Sequence, residues 1–193
     1  MPSGGLSGGT IATVLGLLDV FSIKDIAAAG APYSISPIPG PKVKSKAPWY
    51  TAIFGVRNVS DLGTLTTSPT TAANLPVVQR TWGLFQGTSQ AYGDKFYYSE
   101  YMKARNAFLA VVQHFALAAL ALVLLLKPVR LLLAKVVTAP GSGPDKESTK
   151  RERVEYRGTA EVEGEGKAFV RAHYDGGLYY REFIFLIGFV FGY

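Results

Sequence analysis

The stretch AFLAVVQHFALAALALVLLL, residues 107–126, runs for twenty residues without a charge, and only Gln113 and His114 interrupt it with polar groups. A membrane-crossing helix needs about 20 mostly apolar residues, whereas runs of roughly 10–14 belong more often to buried core helices. A chain of 193 residues can hardly surround so long an apolar helix on every side. The run therefore predicts a lipid anchor. Apolar character resumes after Lys127-Pro128 as VRLLLAKVV, and Pro128 is expected to kink or end the helix because it lacks a backbone donor. A helix, a bend and a shorter apolar return suit an anchor held in one leaflet as well as they suit a span.

The charge pattern points the same way. Residues 107–137 carry Lys127, Arg130 and Lys135 as their only charges, whereas residues 145–167 carry thirteen. The formal net charge is +6, with no run of five or six basic residues. Lys103 and Arg105 precede the apolar stretch and Lys127, Arg130 and Lys135 follow it. Cations flanking an apolar run suit lipid headgroups; a nucleic-acid groove calls for a continuous basic face. The absence of cysteine excludes disulfides, thiolate catalysis and cysteine metal sites.

Around the anchor the chain reads as α+β: a mixed sheet with an antiparallel hairpin, flanking helices and one long apolar helix. SGGT (7–10) precedes IATVLGLLDVF, whose apolar spacing predicts a helix from about Thr10 to Ser22, with Thr10 or Ser7 as N-cap. IKDIAAAG (23–30) predicts a short helix closed by Gly30. Residues 31–48 hold five prolines and predict an extended connection. WYTAIFGV (49–56) and VVQRTWGLF (77–85) are aromatic and β-branched and predict strands; the Ser/Thr-rich segment between them, residues 60–76, predicts a loop. Residues 153–174 alternate strictly. Val154, Tyr156, Ala160, Val162, Ala168, Val170, Ala172 and Tyr174 take even positions, and most charges take odd ones, on both sides of Gly164-Glu165-Gly166. That is a hairpin with one buried and one wet face. Residues 1–106 thus form the first part of a sheet-containing domain, 107–137 the anchor, 138–180 a loop and hairpin completing the domain, and 181–193 an apolar tail.

Motifs for chemistry are few. Neither G-x-G-x-x-G nor G-x-x-x-x-G-K-[ST] occurs, and GEGK (164–167) sits at the hairpin turn. SGGT at a helix start suits either an anion held by free N–H groups or a close helix–strand contact. His114 and His173 lie far apart with no second histidine at helical spacing, which argues against a metal site. His114 is expected as a buried, hydrogen-bonded histidine. The tyrosine-rich KFYYSEYM (95–102) precedes the apolar run and is expected at a lipid interface.

Taken in order, SGGT (7–10), APYSISPIPGP (31–41), VVQRTWGL (77–84), YGDKFYYSEYM (92–102), the apolar segment and PGSGP (140–144) resemble the C-terminal part of the saccharopine dehydrogenase-like oxidoreductases. The resemblance spans most of residues 4–180. It implies a fragment of a two-part Rossmann-type enzyme, in which an N-terminal half binds NAD(P) and the C-terminal half shapes the substrate site. It also implies association with lipid droplets, mitochondrial or other intracellular membranes, a role in lipid or glycolipid metabolism, and a possible homodimer. No cofactor is expected to bind this chain alone, and the partners are a lipid surface and the nucleotide-binding half, not nucleic acid. On the substrate side the resemblance offers Ser7, Gly8, Gly9 and Thr10, with Arg80 and Trp82 beside them. The chain departs from the family pattern in having no glycine-rich nucleotide loop and in ending on REFIFLIGFVFGY (181–193). A non-enzymatic membrane or lipid-droplet anchor is the competing expectation.

Overall fold

The computed structural model describes residues 8–41, 47–136, 153–162 and 166–175. Ser7, the PGSGP loop, the Gly164-Glu165 turn and the 181–193 tail lie outside the described residues. Gly16–Arg130 forms one compact unit, and the hairpin belongs to the other.

The Gly16–Arg130 unit contains the end of α1 and the elements up to the start of α6. Helix α1 runs Gly8–Val20 and α2 runs Ile23–Ala29. A reciprocal cap starts α2: Ser22 Oγ accepts from the Asp25 N–H at 3.2 Å, and Asp25 Oδ2 accepts from the Ser22 N–H at 3.3 Å. Gly30 ends α2 as expected, with its N–H donating to the Ile26 carbonyl at 3.0 Å. The proline-rich connection has no regular structure over its described residues.

Two predicted strands are helices instead. Residues Tyr50–Phe54 of WYTAIFGV form helix α3, ended by Gly55 at φ 64°. Pro48 before the helix and a left-handed glycine after it are helix punctuation, and they outweigh the β-branched content between them. VVQRTWGLF is the C-terminal part of a longer helix, α4, Thr71–Phe85. Its buried residues Pro76, Gln79, Trp82 and Gly83 follow helical spacing once the segment before Pro76 is included. Pro76 lies inside α4 and forgoes one helical hydrogen bond.

Strand character appears in the polar segment that was expected to be a loop. β1 (Arg57–Val59), β2 (Gly63–Thr67) and β3 (Tyr101–Lys103) form an antiparallel sheet in the order β1-β2-β3. Arg57, Leu65 and Lys103 share one row across it. The hairpin between β1 and β2 pairs Val59 with Gly63, and Gly63 adopts φ 81°, as a three-residue loop closing on a left-handed glycine demands. Threonine-rich sequence pairs as readily as aliphatic sequence because threonine is β-branched.

The apolar run becomes helix α5, Ala107–Leu124, started by Asn106, whose Oδ1 accepts from the Leu109 N–H at 2.9 Å. It ends as anticipated before Pro128. Helix α6 follows at Lys127–Val136, with Pro128 in its first turn, where the missing N–H has no helical partner to lose.

The predicted hairpin is present as β4 (Arg153–Val162) and β5 (Gly166–Asp175), in register from Arg153↔Asp175 to Val162↔Gly166. All strand pairs among the described residues are antiparallel, in two separate sheets, so the sheet is not mixed. Even residues pair with even, which puts the apolar side chains on one face. That face was expected to be buried, yet Tyr156 and Val170 are exposed and Val154 and Ala172 only half-buried. A two-stranded ribbon has no second layer of its own to cover it. On the other face Arg157 sits opposite Arg171, a like-charge pair that Glu155 relieves. Its carboxylate accepts from Arg157 at 3.0 and 3.1 Å and pairs with Arg171. The hydrogen bond from Arg157 leads in holding the Glu155 carboxyl below its usual range.

Candidate functional site

Helix α5 touches the rest of its unit along one narrow side. Thr66, fully buried in β2, donates from Oγ1 to the Ala110 carbonyl at 2.7 Å, and Thr67 Oγ1 lies 2.8 Å from His114 Nδ1. Gly55 lies against the His114 ring so closely that a β-carbon there would overlap it. Ala110 at 0% exposure is the only fully buried residue of α5; Gln113, His114 and Leu117 on the same side are half-buried. His114 is thus hydrogen-bonded as expected, and Gln113 Oε1 is buried without a partner.

The opposite side is bare. Phe108, Val112, Phe115, Ala119, Leu122 and Leu126 recur at alternating steps of four and three residues. At about 100° per residue the five within α5 line one face, roughly 160° from the Ala110 side, and Leu126 follows just past the helix end. All six are exposed, Phe108 at 74% and Leu122 at 66%. Among the described residues α5 is the one helix long and apolar enough to cross a membrane. A core helix passing that test is mostly buried; this one is not.

Where α5 ends, Arg130 takes over. Its Nη1 donates to the carbonyls of Leu124 and Leu125 at 3.0 and 2.9 Å, while Nε and Nη2 donate to Asp19 Oδ1 at 3.1 and 2.6 Å. A guanidinium here satisfies carbonyls the helix cannot and complements the negative end of its dipole. The sequence marked Arg130 only as a flanking cation.

The residues singled out from the sequence do not converge. Gly8, Gly9 and Thr10 open α1, while Ser7 lies outside the described residues. Trp82 is buried, with its Nε1 donating to the Gly93 carbonyl at 2.8 Å and its ring edge-on to Tyr33 at 5.4 Å. Arg80 is exposed and donates from Nη1 to the Ile35 carbonyl at 2.9 Å. Both residues tie α4 to neighbouring loops. Tyr33 completes that core at φ 61°, an uncommon conformation for a non-glycine residue. Its N–H donates to Gln79 Oε1 at 2.6 Å and its hydroxyl to the Phe96 carbonyl at 2.8 Å.

Sequence reasoning also missed Glu100. Its Oε1 accepts from Ser68 at 3.2 Å and from Thr70, its Oε2 from Asn74 at 2.8 Å and Tyr98 at 3.4 Å, and its backbone carbonyl from Thr71 at 3.0 Å. Four neutral donors occupy the carboxylate at the start of α4, so it acts as a clip between two segments and not as a free base. Burial first, then the Glu100 charge and hydrogen bond, push the Tyr98 hydroxyl up to about 12. Within the tyrosine-rich stretch 95–102, expected at a lipid interface, Phe96, Tyr98 and Tyr101 are half-buried in the unit. Tyr92 stacks between Phe85 and Phe96, Tyr98 joins the clip, and Tyr97 stays exposed.

Among the described residues no group of three His, Asp or Glu side chains could hold a metal ion. The sequence contains no G-x-G-x-x-G, the motif of the dinucleotide-binding turn from strand to helix. No family model, no curated protein and no solved structure matches this chain.

Proposed function

We propose that the chain is a lipid-held α+β module serving as the substrate-side portion of a saccharopine dehydrogenase-like NAD(P)-dependent oxidoreductase. In this reading the nucleotide-binding half lies outside residues 1–193, and this portion alone transfers no hydride. The single observation that carries lipid association is α5, an uncharged helix with a full-length apolar face open and one residue fully buried. What supports the oxidoreductase half is the ordered resemblance, together with the packing of three resembling segments on one another: Tyr33 from the first, Gln79 and Trp82 from the second, and Gly93 and Phe96 from the third.

A second reading, a non-enzymatic lipid anchor, is favoured by one observation. Arg80 and Trp82 each donate to a backbone carbonyl, roles that hold the fold together and require no substrate. The two readings share the lipid surface and differ in the partner. Intact mass of the native protein, isolated from its membrane fraction through the charged 145–167 segment, separates them. A species about twice the 20.8 kDa of this chain, binding NAD(P)H, supports the oxidoreductase; a species at 20.8 kDa that leaves NAD(P)H fluorescence unchanged refutes it. Flotation of the full chain with anionic vesicles tests the shared part. Phe115→Asp with Leu122→Asp is expected to abolish flotation while leaving the circular dichroism of the unbound chain intact.

A further inference from the structure

We infer that α5 does not cross the bilayer but lies along one leaflet, with the stripe of Phe108, Val112, Phe115, Ala119, Leu122 and Leu126 sunk into an anionic lipid surface. The inference rests on the lipid-held reading above and adds depth and orientation to it.

Eighteen residues of α5 extend about 27 Å, close to the roughly 30 Å hydrocarbon thickness of a bilayer. The whole helix would be needed to cross. Its first two turns, however, are bound to β2 through Ala110 and His114. Next to Thr66 runs the cross-strand row of Arg57, Leu65 and Lys103, and the Arg57 guanidinium stacks on Tyr101 at 4.8 Å. Crossing would carry this row into hydrocarbon, where each cation is strongly disfavoured. The sheet is also open-edged, and unpaired strand edges find no partner in lipid. Only residues 115–124 of α5 lie beyond the docked part. They extend about 15 Å, half of what a span requires.

Lying flat removes both conflicts. The sheet covers the Ala110 side, and the opposite stripe meets acyl chains at the depth of about 5–10 Å that interfacial helices reach. Arg105 and Lys127, both exposed at opposite ends of α5, then sit at one level, where anionic headgroups match their charge. A helix standing upright would instead place Lys127 in the middle of the bilayer.

The chain has no cysteine, so single thiols can be introduced without background. Full-length chains carrying Arg105→Cys, Lys127→Cys or Leu122→Cys are added to preformed, sealed phosphatidylcholine–phosphatidylglycerol vesicles. The vesicles are floated and treated with a membrane-impermeant maleimide. The expected result is flotation of all three, full labelling of Arg105→Cys and Lys127→Cys from outside, and loss of labelling at Leu122→Cys on vesicles but not in buffer. If either end labels only after the vesicles are permeabilised, the helix crosses and the inference is wrong, although the lipid-held reading stands. If the chains do not float, both fall. Protection of Leu122→Cys in buffer, with a dimer mass by light scattering, assigns the stripe to a second copy of the chain and overturns the inference.

Discussion

Replacing Arg130 with methionine separates two roles that one side chain combines. The ion pair with Asp19 is one-sided in burial: the Arg130 side chain is 9% exposed and the Asp19 side chain 51%. Asp19 therefore rehydrates when its partner leaves, and the pair itself is worth only about 0–1 kcal/mol. The carbonyls of Leu124 and Leu125 are different, because each accepts from a charged donor at 3.0 and 2.9 Å. Such hydrogen bonds contribute about 1.5–3 kcal/mol each when intact, less where water reaches the freed oxygen. Leu124 is half-buried and Leu125 exposed, which places the Arg130→Met loss at about 2–4 kcal/mol. Asp19→Asn keeps the carbonyl contacts and is expected to lose less than about 1 kcal/mol. Urea unfolding of the full chain in mild detergent, followed by far-ultraviolet circular dichroism, measures both. With a slope of about 2 kcal/mol per molar urea, a 3 kcal/mol loss moves the midpoint by about 1.5 M. Equal losses in the two variants would falsify the assignment of Arg130 as a cap, as would a loss below about 0.5 kcal/mol in Arg130→Met.

Two further outcomes follow from the same geometry. Gly16→Ala and Gly83→Ala should have opposite signs in the urea assay. At Gly16 an added β-carbon meets nothing within 4 Å, so the helix gains up to about 1 kcal/mol. At Gly83 it runs into Ser36 Oγ and comes within 2.9 Å of Pro37 Cδ, so overlap outweighs propensity and costs about 1–3 kcal/mol. Tyr98, with its hydroxyl raised from 10.0 to about 12 in the folded chain, contributes stability that is complete below pH 10 and is lost as pH rises towards 12, because the unfolded chain releases that proton first. Phenolate absorbance and urea midpoints followed through that window should show the loss, and Tyr98→Phe should remove that part of it.

How much was legible depended on whether the signal was local. The alternation at 153–174 and the uncharged run at 107–126 are long, single-period patterns, and both became the expected elements. The errors at 49–56 and 77–85 came from windows too short to show a period. VVQRTWGLF alone looks like a strand, whereas the spacing of Pro76, Gln79, Trp82 and Gly83 shows a helix only when residues 71–76 are joined to it. Gly63–Thr67 was passed over because it is polar, although its threonines carry the branching a strand favours. The Glu100 clip and the Asp19–Arg130 pair were out of reach: the clip's partners in 68–74 lie 26–32 residues from Glu100 and Asp19 lies 111 from Arg130, and no spacing rule spans such distances. The carbonyls that Arg130 caps lie only 5 and 6 residues back, a local signal that was passed over. The sequence marked the apolar run but not which side of it is covered, because that depends on Thr66 and Thr67, which tie down the beginning of α5.

The contact between Asp19 and Arg130 also says something about how this unit is joined to the rest of the chain. Gly16–Arg130 begins and ends within a few residues of that pair, so the polypeptide enters and leaves at one place. A body with coincident ends is the kind that tolerates transplantation or circular permutation, since its host sequence need not stretch to close around it. The unit can therefore be handled as a cassette: ends joined near Asp19 and Arg130, and a new opening cut at an exposed turn such as Gly87.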